Sequence, residues 1–349
     1  MSSTSPVKRL FIVVNPTQYL NAVEYVHQTG PEEDCVVAIT PYFKGIEELN
    51  KMGANKVWVK TYFHEIEDMK AYGNDKEYWR LFRNFIQVAF EDFQPSQLIA
   101  GNLIDTTTYP FYLKNKKRFK KVVILDDGTP TLNLVKRRKH GGFFRSYHVR
   151  SFKFILKNLL YHRLFTPGIS PPKSLEFFTI FKVDGGPNDT VRTNKYVWLA
   201  SKVQKQEITN QVLFIGSNLI DRGVVKQAPY LKSLERIATD INALGHEFVY
   251  GHHRGESEPV RSEIRKICKT VDFNQPLEVC FLNAPRPAFF VGHFSSALFN
   301  LSRIYSLKNV RAYLFPEKDL IGSVDEPKEY LSMVQSALKA DPIIESYQL

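Results

Sequence analysis

The sequence predicts an α/β protein made of two Rossmann-like domains. Short β-branched or apolar runs alternate with segments of helical periodicity, and this alternation occurs twice, once in each half of the chain. A length of 349 residues suits two domains better than one core. We predict a first domain over residues 1–195, a second over 205–326, and a C-terminal helix in 327–349 that could pack back on the first domain.

The predicted strands follow from these runs. Those of the first domain are expected at residues 10–14, 35–40, 56–60, 97–101 and 121–125, and those of the second at 211–215, 247–250, 288–292 and 310–315. A linker is expected between residues 184 and 211, where Gly185 and Gly186 precede Pro187. Apolar residues at positions 330, 331, 334 and 338 have helical spacing and predict the C-terminal helix.

The composition argues against a secreted or membrane-spanning protein. No apolar run approaches the ~18–20 residues that a bilayer span needs, and the first residues lack the apolar core of a signal peptide. Cys35, Cys268 and Cys280 are odd in number and form no CxxC pair, so we expect reduced, buried thiols and no zinc site. These observations predict a cytoplasmic protein.

The positive charge is concentrated in one region. Residues 114–163 hold fifteen lysines and arginines and two aspartates, a net charge of +13 against +11 for the whole chain. Such a region suits nucleic acid, anionic lipid or a polyanionic substrate, although a solvated basic surface without function is the alternative. Within it, residues 150–163 have apolar residues at helical spacing with basic residues between them. This helix could lie on an anionic membrane or simply pack on its own domain.

An acidic pair follows one predicted strand, where ligands of open α/β sheets bind. Asp126, Asp127 and Gly128 come directly after the strand at 121–125. Adjacent residues of an extended segment point to opposite sides, so one carboxylate at most faces a given cleft. Asp127 is the better placed to project, whereas Asp126 is expected to bond backbone or basic neighbours. An ordinary Asp-Gly turn is the alternative.

Polar residues also end two predicted strands of the second half. His252, His253 and Arg254 follow the strand at 247–250, and a histidine there could serve a phosphate or be purely structural. Adjacent histidines diverge, so this pair alone is a poor metal site, and which of the two would function stays open. Ser295 and Ser296 follow the strand at 288–292 and open a predicted helix, a pattern typical of a phosphate cradle or of a plain N-cap.

Three further strand ends carry small or amide residues. Gly216 and Ser217 follow the first strand of the second half, where glycine lets a ligand approach the backbone. Asn15 and Gln18 follow the first strand of the chain, and Gly101 with Asn102 ends the strand at 97–101. No Walker lysine and no GxGxxG motif accompany them, which makes ATPase and dinucleotide-binding functions poor candidates.

Taken in order, these motifs resemble the three signatures of bacterial sialyltransferases of the GT-B fold: acidic-acidic-Gly, His-Pro and Ser-Ser/Thr. Residues 14–24 are similar to the opening of glycosyltransferase family 52 and polysialyltransferase family 38, and residues 214–223 are similar to their Gly-containing segment. One departure is that the family's His-Pro reads His253-Arg254 here.

The resemblance implies a GT-B fold, with two Rossmann-like domains facing each other across a cleft, and an inverting sialyltransferase. CMP-N-acetylneuraminate would be the donor. The acceptor would be a glycan such as a capsule, a polysialic acid or a lipooligosaccharide, and the basic region suggests that it is anionic. Peripheral binding to an anionic membrane is a further expectation, and neither a metal nor another cofactor is expected.

The resemblance also implies roles for individual residues. Asp127 would be the general base, and His253 would protonate or hydrogen-bond the departing phosphate. The implied donor-binding residues are Gly216, Ser217, His253, Arg254, Ser295 and Ser296. Acceptor binding is expected of Asn15, Gln18, Gly101 and Asn102 at the strand ends. The concentration of positive charge, rather than the resemblance, adds Lys116, Lys117, Arg137 and Arg138 to the expected acceptor-binding residues.

Two alternatives stay open. Another CMP-activated sugar, such as a different nonulosonic acid or Kdo, would use the same chemistry. A basic nucleic-acid-binding protein would explain the charge, although no RNP, helix-turn-helix or zinc-finger pattern is present and the acidic pair would repel phosphate.

Overall fold

The chain forms two compact α/β units, Met1–Asn194 and Lys195–Leu349. The computed structural model describes residues 9–30, 35–39, 46–63, 75–103, 108–140, 172–205, 207–322 and 328–349. Residues 141–171, which include the whole of the predicted helix at 150–163, lie outside the described residues. Each unit is organised around its own parallel sheet, so the prediction of two Rossmann-like domains is confirmed.

The first unit contains a sheet of seven parallel strands in the order β3-β2-β1-β4-β5-β6-β7. The strands are β1 (Arg9–Val13), β2 (Cys35–Ile39), β3 (Lys60–Phe63), β4 (Gln97–Ala100), β5 (Lys121–Leu125), β6 (Glu176–Thr179) and β7 (Thr190–Thr193). The strand order reverses between β1 and β4, which is where ligands of such sheets bind. All five residues of β1 are buried, as expected of a central strand covered on both faces.

The helices of the first unit are α1 (Pro16–Thr29), α2 (Ile46–Lys51), α3 (Asp75–Phe93), α4 (Thr108–Asn115) and α5 (Pro130–Lys139). Helix α1 begins at the end of β1 because Asn15 caps it and Pro16 occupies its first turn. It ends at Gly30, whose φ of +94° is readily adopted only by glycine. A core that includes Phe82, Phe90 and Phe111 packs against the sheet.

The second unit contains a sheet of six parallel strands in the order β10-β9-β8-β11-β12-β13. The strands are β8 (Gln211–Ile215), β9 (Glu247–Gly251), β10 (Lys269–Val271), β11 (Phe289–Gly292), β12 (Val310–Leu314) and β13 (Ile344–Gln348). The helices are α6 (Val197–Ala200), α7 (Gln227–Ala243), α8 (Glu258–Ile267), α9 (Leu277–Cys280), α10 (Ser296–Ile304) and α11 (Lys328–Ala340). Here the strand order reverses between β8 and β11.

The predicted strands agree with the structure at most positions, and the differences have physical causes. Residues 54–57 form a 3-10 turn rather than a strand, and β3 begins four residues later than predicted, at Lys60. The predicted linker is wrong over its first part, because β7 lies within it. All four residues of β7 are exposed, so no buried alternation in the sequence marks it.

The predicted C-terminal helix is present as α11, and its following strand β13 pairs with β12. The return of this helix to the first unit stays a prediction. Cys268 and Cys280 are free and half-buried, and burial raises the pKa of each thiol to about 12. In the described part of the chain, no helix combines the length and the apolar character that crossing a membrane requires.

Candidate functional site

In the first unit, predicted site residues meet at the carboxyl edge of the sheet. The Asn15 side chain accepts a hydrogen bond from the Gln18 backbone N–H at 2.8 Å and donates one to Asp127 Oδ1 at 2.7 Å. The same asparagine therefore caps α1 and orients the carboxylate that follows β5. Asp127 is half-buried, and Gly128 next to it has a φ of +79°, which permits the tight turn into α5.

Gln18 and Gly101 lie in contact at the same edge. Gln18 Oε1 accepts a hydrogen bond from the Val14 backbone N–H at 2.8 Å. A Cβ atom on Gly101 would lie 2.0 Å from Gln18 Cδ, so only glycine fits there. Gln18 Nε2 is buried and has no hydrogen-bond partner among the described residues. A buried unpaired amide is costly, so this N–H₂ group is a candidate donor to a ligand. Asn102, the next residue, is exposed.

Asp126 has a structural environment that differs from that of Asp127. It is 3% exposed, and its Oδ2 accepts hydrogen bonds from Thr179 Oγ1 at 2.9 Å and from the Ile180 backbone N–H at 2.8 Å. Burial raises the pKa of Asp126 to about 7, in spite of these hydrogen bonds. Asp126 is therefore a buried, partly protonated carboxyl at neutral pH, and Asp127 is the accessible one.

This environment makes the stability of the protein depend on pH. Because the pKa of Asp126 is about 7 in the folded protein and 3.8 is its ordinary value, stability is expected to fall as pH rises from about 4 to 7 and to level off above that. Asp126→Asn should remove this slope, so the variant gains stability relative to the parent over the window, on the order of 4 kcal/mol. Urea unfolding of both proteins at pH 4.5 and 8 measures the difference. Parallel pH profiles would contradict the assignment.

The four basic residues predicted for the acceptor lie at the opposite edge of this sheet. Lys116 and Lys117 are exposed in the turn before β5, whereas Asp127 follows β5, and five strand residues span roughly 16 Å. Arg137 and Arg138 belong to the last turn of α5, which returns towards the amino edge. We therefore do not include these four residues among the acceptor-binding candidates. None of the four lies beside Asp127.

Arg138 has a structural role instead. It is 8% exposed, and its guanidinium donates to both carboxylate oxygens of Asp189, at 2.6 and 2.9 Å. Asp189 also accepts hydrogen bonds from the backbone N–H groups of Leu175 and Gly186. This arrangement fastens the loop before β7 to the end of α5. The remaining basic positions of the region, from 145 to 163, lie outside the described residues.

In the second unit, glycine lets two strand ends approach closely. A Cβ on Gly216 would lie 2.5 Å from the Gly251 carbonyl oxygen and 2.7 Å from Tyr250 Oη. The Gly216 backbone N–H donates to that carbonyl at 2.9 Å, which joins the ends of β8 and β9. Ser217 follows in a half-buried position. A Cβ on Gly255 would lie 3.0 Å from Asn218 Nδ2, so the loops after β8 and β9 meet.

The two adjacent histidines have different environments. The His252 side chain is fully buried, and its Nδ1 bonds Glu256 Oε2 at 2.9 Å. Glu256 Oε1 also accepts from the Tyr250 hydroxyl at 2.5 Å, and that hydroxyl bonds the hydroxyl of Tyr230 at 2.8 Å. His252 thus belongs to a series of buried hydrogen bonds, which continues through Glu256 and Tyr250 to Tyr230. His253 is only partly buried and is the histidine that a ligand can reach.

The backbone sets the hydrogen-bonding state of His253. Its Nδ1 accepts a hydrogen bond from the Gly255 backbone N–H at 3.0 Å, so the neutral ring carries its proton on Nε2. Burial lowers the pKa of His253 below its ordinary value, and the positive charges of Arg254, Arg222 and Arg261 lower it further. At neutral pH His253 therefore offers a hydrogen bond from Nε2–H rather than the charge of an imidazolium.

Arg261 is a supporting residue that the sequence analysis missed. Its guanidinium donates to the carbonyl oxygens of His253 at 3.0 Å and Glu256 at 3.2 Å, which braces the turn that carries His253. It lies in the first half of α8, and no strand-end motif contains it. The only sequence signal for it is an arginine shortly after a predicted helix start. Arg254 itself is exposed.

Ser295 and Ser296 begin α10 at the end of β11, as predicted. Ser295 is the N-cap, and its Oγ accepts a hydrogen bond from the Ala297 backbone N–H at 3.3 Å. Ser296 is half-buried in the first turn, where the helix dipole favours an anion. His293, in contrast, is fully buried, bonds the Tyr313 carbonyl at 2.8 Å, and has a pKa lowered to about 4 by burial. It stays neutral inside the unit.

In both sheets, the predicted site residues other than the four basic ones thus collect at the carboxyl edge, near the reversal of strand order. Among the described residues, no group of three or more His, Cys, Asp and Glu side chains is arranged to hold a metal ion. No protein-family model matches the sequence, and no curated protein matches it.

Solved structures do share the fold. The α-2,3-sialyltransferase of Photobacterium phosphoreum is 11% identical, covers 97% of this chain and 98% of its own, and has a TM-score of 0.50. The S. aureus MnaA–UDP structure is 10% identical, covers 96% of this chain and 89% of its own, and has a TM-score of 0.52. The fold is GT-B. The predicted fold class is therefore confirmed, and the GT-B fold is what these similarities establish.

Proposed function

We propose that the chain is a glycosyltransferase that moves sialic acid from CMP-N-acetylneuraminate to a glycan, with inversion at the transferred sugar. The observation that carries the proposal is the pairing of Asp127 with Asn15 at the carboxyl edge of the first sheet. An accessible carboxylate held by an amide can deprotonate an acceptor hydroxyl. A sialyltransferase among the structures that share the GT-B fold supports this choice of activity.

The second unit offers groups that suit the departing nucleotide. As CMP leaves, negative charge grows on its phosphate. His253 Nε2–H can donate to that phosphate, and the hydroxyls and helix N-terminus at Ser295 and Ser296 can stabilise it. Arg254 adds positive charge at the same edge. The sugar's own carboxylate offsets the charge of the oxocarbenium-like centre, so the scheme requires no metal.

The residues that we propose bind the acceptor are Asn15, Gln18, Gly101 and Asn102. The unpaired Gln18 Nε2 suits a sugar hydroxyl, which can accept its hydrogen bond. An anionic acceptor, such as a sialylated glycan, a capsule chain or a lipooligosaccharide, stays part of the proposal. The positive charge that would attract such an acceptor would have to come from the basic residues between 145 and 163, which lie outside the described residues.

The test is a transfer assay. We expect release of CMP and formation of product from CMP-N-acetylneuraminate with at least one glycan from a panel of sialylated and unsialylated oligosaccharides. CMP-Kdo, another CMP-nonulosonic acid and UDP-N-acetylglucosamine serve as donor controls. Product from a control donor alone would overturn the choice of sialic acid. Activity should persist in excess EDTA, and a complete loss that Mg²⁺ restores would refute the metal-independent scheme.

The exposed lysines at the amino edge of the first sheet suit an anionic surface, and we propose that they contribute to peripheral membrane binding. Lys116→Glu combined with Lys117→Glu should lower co-sedimentation with phosphatidylserine vesicles at least about tenfold, because each lysine near such a surface contributes ~1 kcal/mol. Transfer to a soluble acceptor should be unchanged. Lys308→Glu with Lys339→Glu, a pair of exposed lysines in the second unit, is the control. Salt-sensitive binding to nucleic acid instead of vesicles would favour the nucleic-acid alternative.

A further inference from the structure

A cavity of about 260 Å³ lies in the second unit. It is bounded by the second half of α7 and by strands β12 and β13. Right-handed crossovers place α7 and α8 on one face of the sheet and α10 and α11 on the other, where they contact β12 and β13. The cavity lies on the α7 face of the sheet, where the second half of α7 meets β12 and β13.

The floor of the cavity is apolar and one wall is an aromatic ring. Ile237 and Ile241 of α7 are fully buried, and Tyr313 of β12 is 9% exposed. The Tyr347 ring stacks on the Tyr313 ring with centroids 5.4 Å apart, yet Tyr347 remains 40% exposed. An exposed flat ring beside an apolar floor is a surface that a ligand with an apolar face can cover.

The rim carries charged groups of both signs. Arg236 and Asp240 lie one helical turn apart on α7, 3.9 Å from each other and mostly exposed. The Arg311 guanidinium lies over the Phe289 ring, 4.4 Å from its centroid, and pairs with Glu345 at 3.4 Å.

The same carboxylate also orders the aromatic wall. Glu345 Oε2 accepts a hydrogen bond from the Tyr347 hydroxyl at 2.8 Å. Since Glu345 also pairs with Arg311, the ring and the guanidinium are fixed relative to each other. Groups ordered before binding lose less entropy when a ligand arrives.

We propose that this cavity binds a neutral saccharide. The charged side chains at the cavity, Arg236, Arg311, Asp240 and the Arg311 partner Glu345, balance in formal charge, so these side chains favour neither an anion nor a cation. A pyranose ring has an apolar C–H face, which fits against Tyr347 and the isoleucine floor. Its hydroxyls both donate and accept hydrogen bonds, which matches the arginines and the Asp240 carboxylate on the rim.

The saccharide site does not depend on the proposed transferase activity. If the chain acts on glycans, a second contact would hold an acceptor chain near the enzyme and raise its effective concentration, and this role alone rests on the proposed function.

The test measures binding of neutral disaccharides to the full chain without any donor. Lactose, maltose and N,N′-diacetylchitobiose are titrated, with saturation-transfer NMR and calorimetry as readouts. At least one should bind with a Kd of about 1–10 mM, and CMP should not compete with it. Absence of saturable binding by all three up to about 50 mM would overturn the proposal, as would competition by CMP.

Variants locate the binding. Tyr347→Ala and Asp240→Asn should each weaken it about tenfold, whereas Tyr347→Phe keeps the ring and most of the affinity. Val191→Ala is the matched control, because Val191 is exposed to a similar extent (37%) on the edge strand β7 of the other unit. Full binding by Asp240→Asn and Tyr347→Ala would refute the site. Leu244, the exposed residue that follows α7, also lines the cavity. Should Tyr347→Ala fail to fold, Leu244→Ser replaces it, with the same expected loss.

The outcomes separate this proposal from the proposed function. Disaccharide binding without transfer from any CMP-sugar contradicts only the transferase. Transfer without disaccharide binding contradicts only the saccharide site.

Discussion

Asp127→Asn is expected to lower turnover with CMP-N-acetylneuraminate at least about 10²-fold, the lower range for loss of a general base. The amide has nearly the same shape and its oxygen can still accept the hydrogen bond from Asn15, so fold and donor binding should be retained. Turnover is measured with saturating acceptor, donor affinity by titration with CMP, and folding by circular dichroism. A loss of turnover with unchanged CMP affinity identifies a chemical role.

Asp126→Asn is the matched control, because it makes the same chemical change at the neighbouring residue. Asp126 is buried against Thr179 and Ile180, so its replacement should alter the pH dependence of stability and leave most of the turnover. The reverse result, an inactive Asp126→Asn and a nearly normal Asp127→Asn, would show that the other carboxylate is the base.

His253→Ala is expected to lower turnover by about 10²- to 10³-fold, the cost of removing one preorganised donor to a developing negative charge. His253→Gln keeps an N–H donor near the position of Nε2 and should recover part of this loss. Because the pKa of His253 is lowered, the ring is neutral at pH 7 and above, so its contribution should not change between pH 7 and 9. Rates of CMP release across this range measure it.

His246→Ala provides the matched control for this series. His246 precedes β9, whereas His253 follows it, so the control removes a histidine from the opposite end of the same strand. It should leave turnover unchanged. An active His253→Ala together with an inactive double variant of Ser295 and Ser296 would assign the phosphate to the helix N-terminus alone.

The candidate site could be predicted largely because strand ends are visible in sequence. Asp127, Gly216, His253 and Ser295 each follow a buried apolar run, and parallel strands bring such positions to the carboxyl edge of the sheet to which they belong. The sequence analysis assigned the basic residues to the wrong edge of the sheet, because a high density of charge in the sequence does not show at which end of a strand the charged residues lie. Lys116 and Lys117 are close to Asp127 along the chain but precede β5, and this strand separates them from the carboxyl edge.

The fold was predicted less completely where strands are exposed, because an exposed strand has no run of apolar residues in the sequence. Strand β7 is exposed at every residue, and β13 is exposed at four of its five, so neither shows the apolar run that marks β1 or β8. The buried hydrogen bonds around His252 could not be predicted either, since Glu256 reaches it across a turn. The hydroxyl of Tyr230, from a helix, bonds the Tyr250 hydroxyl, which donates to the same glutamate. Tertiary contacts of this kind are not encoded in local spacing.

The ion pair between Arg138 and Asp189 determines where the chain can be divided for expression of its halves. A fragment that stops in the Gly185-Gly186 segment would lack Asp189 and would leave the Arg138 guanidinium buried without its carboxylate, a defect of about 3–5 kcal/mol. It would also lose β7, whose pairing completes the edge of the first sheet. A fragment ending at Asn194 keeps both the ion pair and β7. The first unit should therefore be truncated after Asn194 and not at the two glycines, although the glycines resemble a linker.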